Sequence, residues 1–180
     1  ILLINKAKVL LRSTENSINE IAGAVGFDEV ANFSAFFTKS TGMTPSGFIE
    51  KVEGIVERHQ IEEGQYARYL WQDKKESRKM GVNEYGCADA ANILYTIGHF
   101  PKEPQKREKW INTLQKMQNP QTGLYFEGTH HTIHTTAHCI AALELFDASP
   151  LYPLTELLKY MDYEELAAFL EGLDWGNKKH

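Results

Sequence analysis

The stretch from Ser17 to Phe48, capped by a serine and punctuated by Gly26 and Gly42, limits what this chain can fold into more than any other part of it. Ser17 and, three residues later, Glu20 form a capping box, in which each side chain satisfies a backbone N–H at a helix start. A helix is therefore predicted from about Ile18, with Ile18, Ile21, Ala22 and Val25 spaced to share one face. Gly26 stands where a left-handed residue ends a helix. Asp28 is the expected N-cap of a second helix that buries Val30, Phe33, Phe36 and Phe37, and Gly42 is expected to end it. Two helices around a short glycine-containing turn make a helix-turn-helix, whose second helix is the one shaped to enter a DNA major groove.

The motifs Ile21-Ala22, Val25-Gly26-Phe27, Asn32-Phe33-Ser34, Phe36-Phe37 and Gly42-Met43-Thr44-Pro45-Ser46 form a long ordered pattern. In them the sequence resembles the AraC/XylS family of bacterial transcription regulators. Ala7, Leu10 and Leu11 extend the likeness back to the helix that precedes the family's second helix-turn-helix, so it covers roughly the first 50 residues. It implies DNA binding and transcription regulation through the second helix, with Asp28, Glu29, Asn32, Ser34, Ala35 and Lys39 as the side chains that face DNA. Asn32 can bond adenine with both ends of its amide.

Charge runs against that expectation. Residues 1–54 hold five basic residues (Lys6, Lys8, Arg12, Lys39, Lys51) and six acidic ones (Glu15, Glu20, Asp28, Glu29, Glu50, Glu53), a net of −1. Phosphate neutralisation supplies most sequence-independent DNA affinity, so a DNA-binding head is normally basic. Ala35, Thr38 and Leu3 stand where the family often has basic residues, and Glu50 lies near its usual basic end. DNA binding is thus expected to be weak unless the unit dimerises or is joined to a second one.

The whole chain reads as mostly α-helical and in two domains: residues 1–50 as the helix-turn-helix, 51–83 as a charged helical linker, and 84–180 as a second helical domain. Tyr66, Tyr69, Leu70 and Trp71 suggest a partly amphipathic helix over residues 64–79. Beyond it, helices are predicted over 88–97, 106–118, 133–146, 154–161 and 163–173, separated by glycine and proline stops. Two cysteines argue against a disulfide framework, and no apolar run is long enough to span a bilayer, so a cytoplasmic protein without membrane contact is expected.

Trp110, Leu114, Gln118, Pro120, Thr122 and Gly123, followed by Thr136, Cys139 and Ala141-Ala142-Leu143, resemble one repeat of the (α/α) toroid of terpenoid cyclases and protein prenyltransferase β subunits. So short an array leaves apolar surface to be covered by self-association or by missing repeats. Four histidines crowd residues 130–138. His134 and His138 lie four apart on a predicted helix, and His131 joins them three residues earlier, a spacing that lets imidazoles converge on zinc. Asp89, Cys87 or Glu127 would have to complete the set. No cofactor other than that zinc is expected. The alternative is structural: imidazoles hydrogen-bonded near a helix start.

By the toroid likeness, Asp89, Glu127, His130, His131, His134 and His138 are pocket candidates, with Asp89 and Glu127 able to act as acid or base. No constellation supports a specific reaction, which leaves enzymatic activity open. The leading reading is a transcription regulator with a single retained helix-turn-helix. The alternatives are a toroid-like enzyme or small-molecule binder with a histidine-rich pocket, and a fusion or gene remnant without autonomous DNA binding.

Overall fold

The computed structural model describes residues 2–13, 16–76 and 78–173. The first unit consists of α1 (Leu2–Ser13), α2 (Ile18–Ala24), α3 (Val30–Thr41) and the first half of α4 (Pro45–His59). Ser17 caps α2 as its sequence dictates: Glu20 N donates to its Oγ at 3.3 Å, and Ser17 N donates back to Glu20 Oε2 at 2.7 Å. Those bonds hold the Glu20 carboxyl below its usual range. At the other end Gly26, at φ +90°, completes a double closure in which Phe27 N donates to Ala22 O and Gly26 N to Gly23 O, both at 2.9 Å.

Ala7, Leu11, Ile21, Ala22, Val25, Phe33 and Phe37 form the core of this unit. Phe27, Phe33, Phe37 and Phe48 run through it as a chain of ring contacts with centroids 5.7–5.8 Å apart. Each buried phenyl contributes about 1.5–3 kcal/mol. Two details differ from expectation. Glu29, not Asp28, is the N-cap of α3 and makes no side-chain capping bond, and Val30 is 37% exposed because α3 begins there and turns it outward.

α4 crosses the boundary expected at residue 50. Thr44 caps it by accepting from Gly47 N at 3.1 Å, with Pro45 in the first turn, where a missing N–H costs nothing. Phe48 and Ile49 pack on the first core and Val56 enters the second, so one helix belongs to both units. The helix expected over 64–79 is absent. Instead β1 (Gln60–Glu62) and β2 (Gln65–Tyr66) form an antiparallel hairpin, followed by a 3-10 turn at Trp71–Asp73. Tyr66 is fixed in extended form because its N donates to Cys87 Sγ at 3.4 Å, its O accepts from Asn83 N at 3.0 Å, and its ring stacks on Trp110 at 4.8 Å.

The second unit packs α5 (Glu84–Thr96), α6 (Pro104–Lys116) and α7 (Thr132–Glu144) around Trp110, Leu114, Tyr125, Leu143 and Phe146. Cys87, Ala88, Ala91, Cys139 and Ala142 are small and fully buried, which lets α5 and α7 lie close. A 3-10 helix (Thr155–Met161) and α8 (Tyr163–Glu171) follow. α5 starts four residues before the expected Ala88, because Asn83 caps it: its Oδ1 accepts from Tyr85 N at 2.9 Å and Gly86 N at 3.2 Å. The fold is mostly α, with the two-stranded hairpin the only sheet among the described residues. No helix of the described residues is long and apolar enough to cross a membrane.

Candidate nucleic-acid interface

α3 turns Phe33 and Phe37 into the core, so the residues on its opposite side face solvent. Asn32, Ala35 and Lys39 follow the i, i+3, i+7 spacing that places them together on that outward side, and all three are exposed. Asp28 and Glu29 are exposed at its N-terminal end, the end that meets base edges when such a helix lies in a major groove. Ser34 is half-buried on the flank. Four of the six sequence-predicted residues, Asn32, Ser34, Ala35 and Lys39, thus lie on α3, and Asp28 and Glu29 immediately precede it.

The electrostatics of this face are sparse. Among the described residues Lys39 is the one cation on the outward side of α3, and Asp28 and Glu29 place two carboxylates where phosphates or base edges would approach. Lys6 is occupied structurally, its Nζ donating to Ala24 O at 2.8 Å at the end of α2.

Residues 2–51 match the family model described as a helix-turn-helix domain. The first unit is a helix-turn-helix domain. Over 45 residues it is 44% identical to the HTH-type transcriptional activator RhaR of Yersinia pseudotuberculosis and to that of Yersinia pestis, a stretch covering 25% of this chain and 16% of each relative. The matched stretch is therefore about a sixth of the length of these curated relatives. They support the AraC-type character of the unit. No solved structure matches the chain, and the toroid likeness of residues 84–180 rests on their sequence pattern.

Of the pocket candidates of the second unit, His130, His134 and His138 come together around a residue that sequence reasoning passed over. Tyr85, in the first turn of α5, stacks with His130, His134 and His138 at centroid distances of 4.3, 5.9 and 5.0 Å, and the Arg68 guanidinium lies 4.7 Å from its ring centre. The Tyr85 hydroxyl contacts His134 Nδ1, and His138 Nε2 donates to Asp89 Oδ1 at 2.8 Å. Burial raises the Tyr85 pKa above its ordinary value. The buried Glu127 pairs with Arg68 at 2.9 Å and accepts from Thr129 N at 3.2 Å and Asn83 Nδ2 at 3.4 Å. Burial disfavours its charge, yet the hydrogen bonds from Thr129 and His130, the Arg68 charge and the Asn83 amide outweigh that and hold the carboxyl below its usual range. Arg68 and Tyr85 carried no local signal in the sequence, because their partners lie 62 and 49 residues away.

His131 does not join the other imidazoles. Its backbone is extended, its Nδ1 accepts from Ile133 N at 3.3 Å as the N-cap of α7, and its ring lies 6.1 Å from Phe169. The expected set of His131, His134 and His138 is therefore not brought to one point, because the His131 imidazole turns back to cap the start of α7. Among the described residues no group of three or more His, Cys, Asp or Glu side chains is placed to hold a metal ion. Cys87 and Cys139 are buried free thiols whose pKa values burial pushes up, that of Cys87 to about 11, which leaves them protonated.

The remaining motif residues act as clamps. Gln118 Nε2 donates to Gly123 O and Tyr152 O, both at 2.7 Å, and its Oε1 accepts from Tyr152 N at 2.9 Å. Thr136 Oγ1 accepts from Tyr125 N at 3.0 Å and donates to Thr132 O at 2.8 Å. Gly123, at φ +75°, lies so close to the 153–154 backbone that a Cβ there would sit 2.0 Å from Pro153 O.

Proposed function

We propose that the chain is a sequence-specific DNA-binding transcription regulator of AraC type, which reads a major groove through the outward side of α3 with depleted basic contacts. The observation that carries this reading is the exposed Asn32–Ala35–Lys39 side of α3 within a unit that matches the helix-turn-helix domain family. Asn32 supplies a base-reading amide, Ala35 lets the helix approach closely, and Lys39 supplies the phosphate contact. The second unit is a companion that holds α4, and so the helix pair, in place.

Selection of bound sequences from a random duplex library, followed by fluorescence anisotropy across a salt series, tests this. The expected result is an enriched site with a shallow salt dependence, a log–log slope of magnitude about 1–3 for each helix-turn-helix. An unenriched library together with no binding at about 50 mM salt, where such electrostatic contacts are strong, overturns it.

A further inference from the structure

We infer that the cleft between α4, the hairpin and α6 is a binding site for a small organic amine in its protonated form, held by Tyr66, Glu57 and Glu63. The cleft has a volume of about 390 Å³, within the roughly 300–1,000 Å³ of small-molecule sites. Glu57 stands on α4, Glu63 and Tyr66 belong to the hairpin, and Trp110 of α6 stacks on the Tyr66 ring.

The Tyr66 hydroxyl is the group that points to a ligand. The residue is 4% exposed, and Cys87, Asn83 and Trp110 fix its backbone and ring. Its hydroxyl nevertheless has no hydrogen-bond partner among the described residues, where a buried phenol usually finds one. Unlike the Tyr125 hydroxyl, which is sealed in the core, it opens on the cleft. The groups it faces there are carboxylates: burial pushes the Tyr66 pKa up, and the Glu63 and Glu57 charges push it further, so the phenol stays neutral.

The charges that line the cleft select a cation. Glu53 contacts His99, Glu103 pairs with Lys106 at 3.3 Å, and Lys102 is engaged too. Glu57 has no cation paired with it among the described residues, and Glu63 accepts only from the neutral Trp110 Nε1, at 3.0 Å. The second oxygen of Glu63, the Glu57 carboxylate and the Tyr66 hydroxyl are therefore three open acceptors, and a primary ammonium carries three N–H donors. Val56, Leu94 and Phe100 also line the cleft; they suit a hydrocarbon body and give a bare metal ion no ligand. Two uncompensated carboxylates repel an anion of the same size.

Calorimetric titration of the 180-residue chain with 2-phenylethylamine at about pH 7, where an alkylamine is protonated, tests this without DNA. Saturable binding is expected with a Kd of about 1 mM or tighter. The neutral 2-phenylethanol should bind about tenfold more weakly or less, and 3-phenylpropanoate more weakly still. Tyr66→Phe and Glu57→Gln should each weaken the amine about tenfold or more, the scale of one hydrogen bond to a charged group. Neither should lower the melting temperature, because the Tyr66 hydroxyl bonds nothing in the free chain and Glu57 is exposed. Lost affinity then reads the site and not the fold. No saturable binding up to ~10 mM overturns the proposal. So does equal affinity for the amine and the alcohol, or an amine affinity that either variant leaves unchanged.

Discussion

The two units of this chain are held together by different physics. The helix-turn-helix rests on contacts between neighbours in sequence: a cap three residues long, a glycine closure and a chain of phenyl rings within residues 27–48. The second unit rests on buried polar tethers that reach far along the chain, such as Gln118 to Tyr152, Asn83 and Arg68 to Glu127, and Tyr66 to Cys87. A local design leaves its outer surface free to vary with function, whereas each long tether fixes two segments at once and tolerates little.

Glycine substitution breaks that comparison most sharply. Gly123→Ala must adopt φ +75° and place its Cβ 2.0 Å from Pro153 O, so it is expected to cost about 3 kcal/mol or more. Gly26→Ala meets a similar backbone demand, φ +90°, with no atom within 4 Å, and is expected to cost about 1 kcal/mol. All three tryptophans lie outside residues 1–54, so a thermal melt followed by tryptophan fluorescence reports the second unit. It should fall steeply for Gly123→Ala and little for Gly26→Ala. Equal shifts would mean that the two units unfold as one through α4.

Glu127→Gln comes next, at about 2–3 kcal/mol, because it leaves Arg68 facing a neutral amide in a largely buried site. The pH dependence follows from the lowered pKa of Glu127. Its carboxylate stabilises the fold fully above the unfolded value of about 4.3, and that contribution is lost as pH falls through the lower folded value. An acid titration of tryptophan fluorescence should show this loss in the wild-type chain and a smaller acid dependence in Glu127→Gln. A steeper acid dependence in the variant would assign the tether to another group.

How much of this was legible in the sequence follows the same division. Ser17, Glu20, Gly26 and Gly42 act within one turn of where they stand, so their roles could be read directly, and the helix pair emerged with its ends nearly in place. Asn83, Tyr85 and Arg68 could not be read in that way. Their partners lie 44 to 62 residues off, and the first turn of α5 contains the polar Glu84, which is buried because Lys79 pairs with it at 2.9 Å. The residues around Tyr66 had helical spacing, yet Gly86, whose Cβ would lie 2.6 Å from Tyr66 O, shows α5 pressing on an extended strand there. His130, His134 and His138 gather on Tyr85, whereas His131 turns aside in a capping bond that spacing alone does not reveal.

Lys39→Ala has the smallest expected effect on stability and speaks most directly to the local unit. Lys39 is exposed in the last turn of α3, away from both cores, so its removal should change stability by no more than about 0.5 kcal/mol. On DNA it should weaken binding about equally across sequences and reduce the magnitude of the log–log salt slope by about 1, since one phosphate contact disappears. Asn32→Ala should instead leave the slope unchanged and lose about 1–3 kcal/mol of discrimination at one base pair of the selected site. With Asp28 and Glu29 at the entrance of α3, the depleted face makes Lys39 a large share of a small electrostatic total, so its loss should be easy to read. An unchanged slope in Lys39→Ala would place the phosphate contacts elsewhere in the unit and take the outward side of α3 off the DNA.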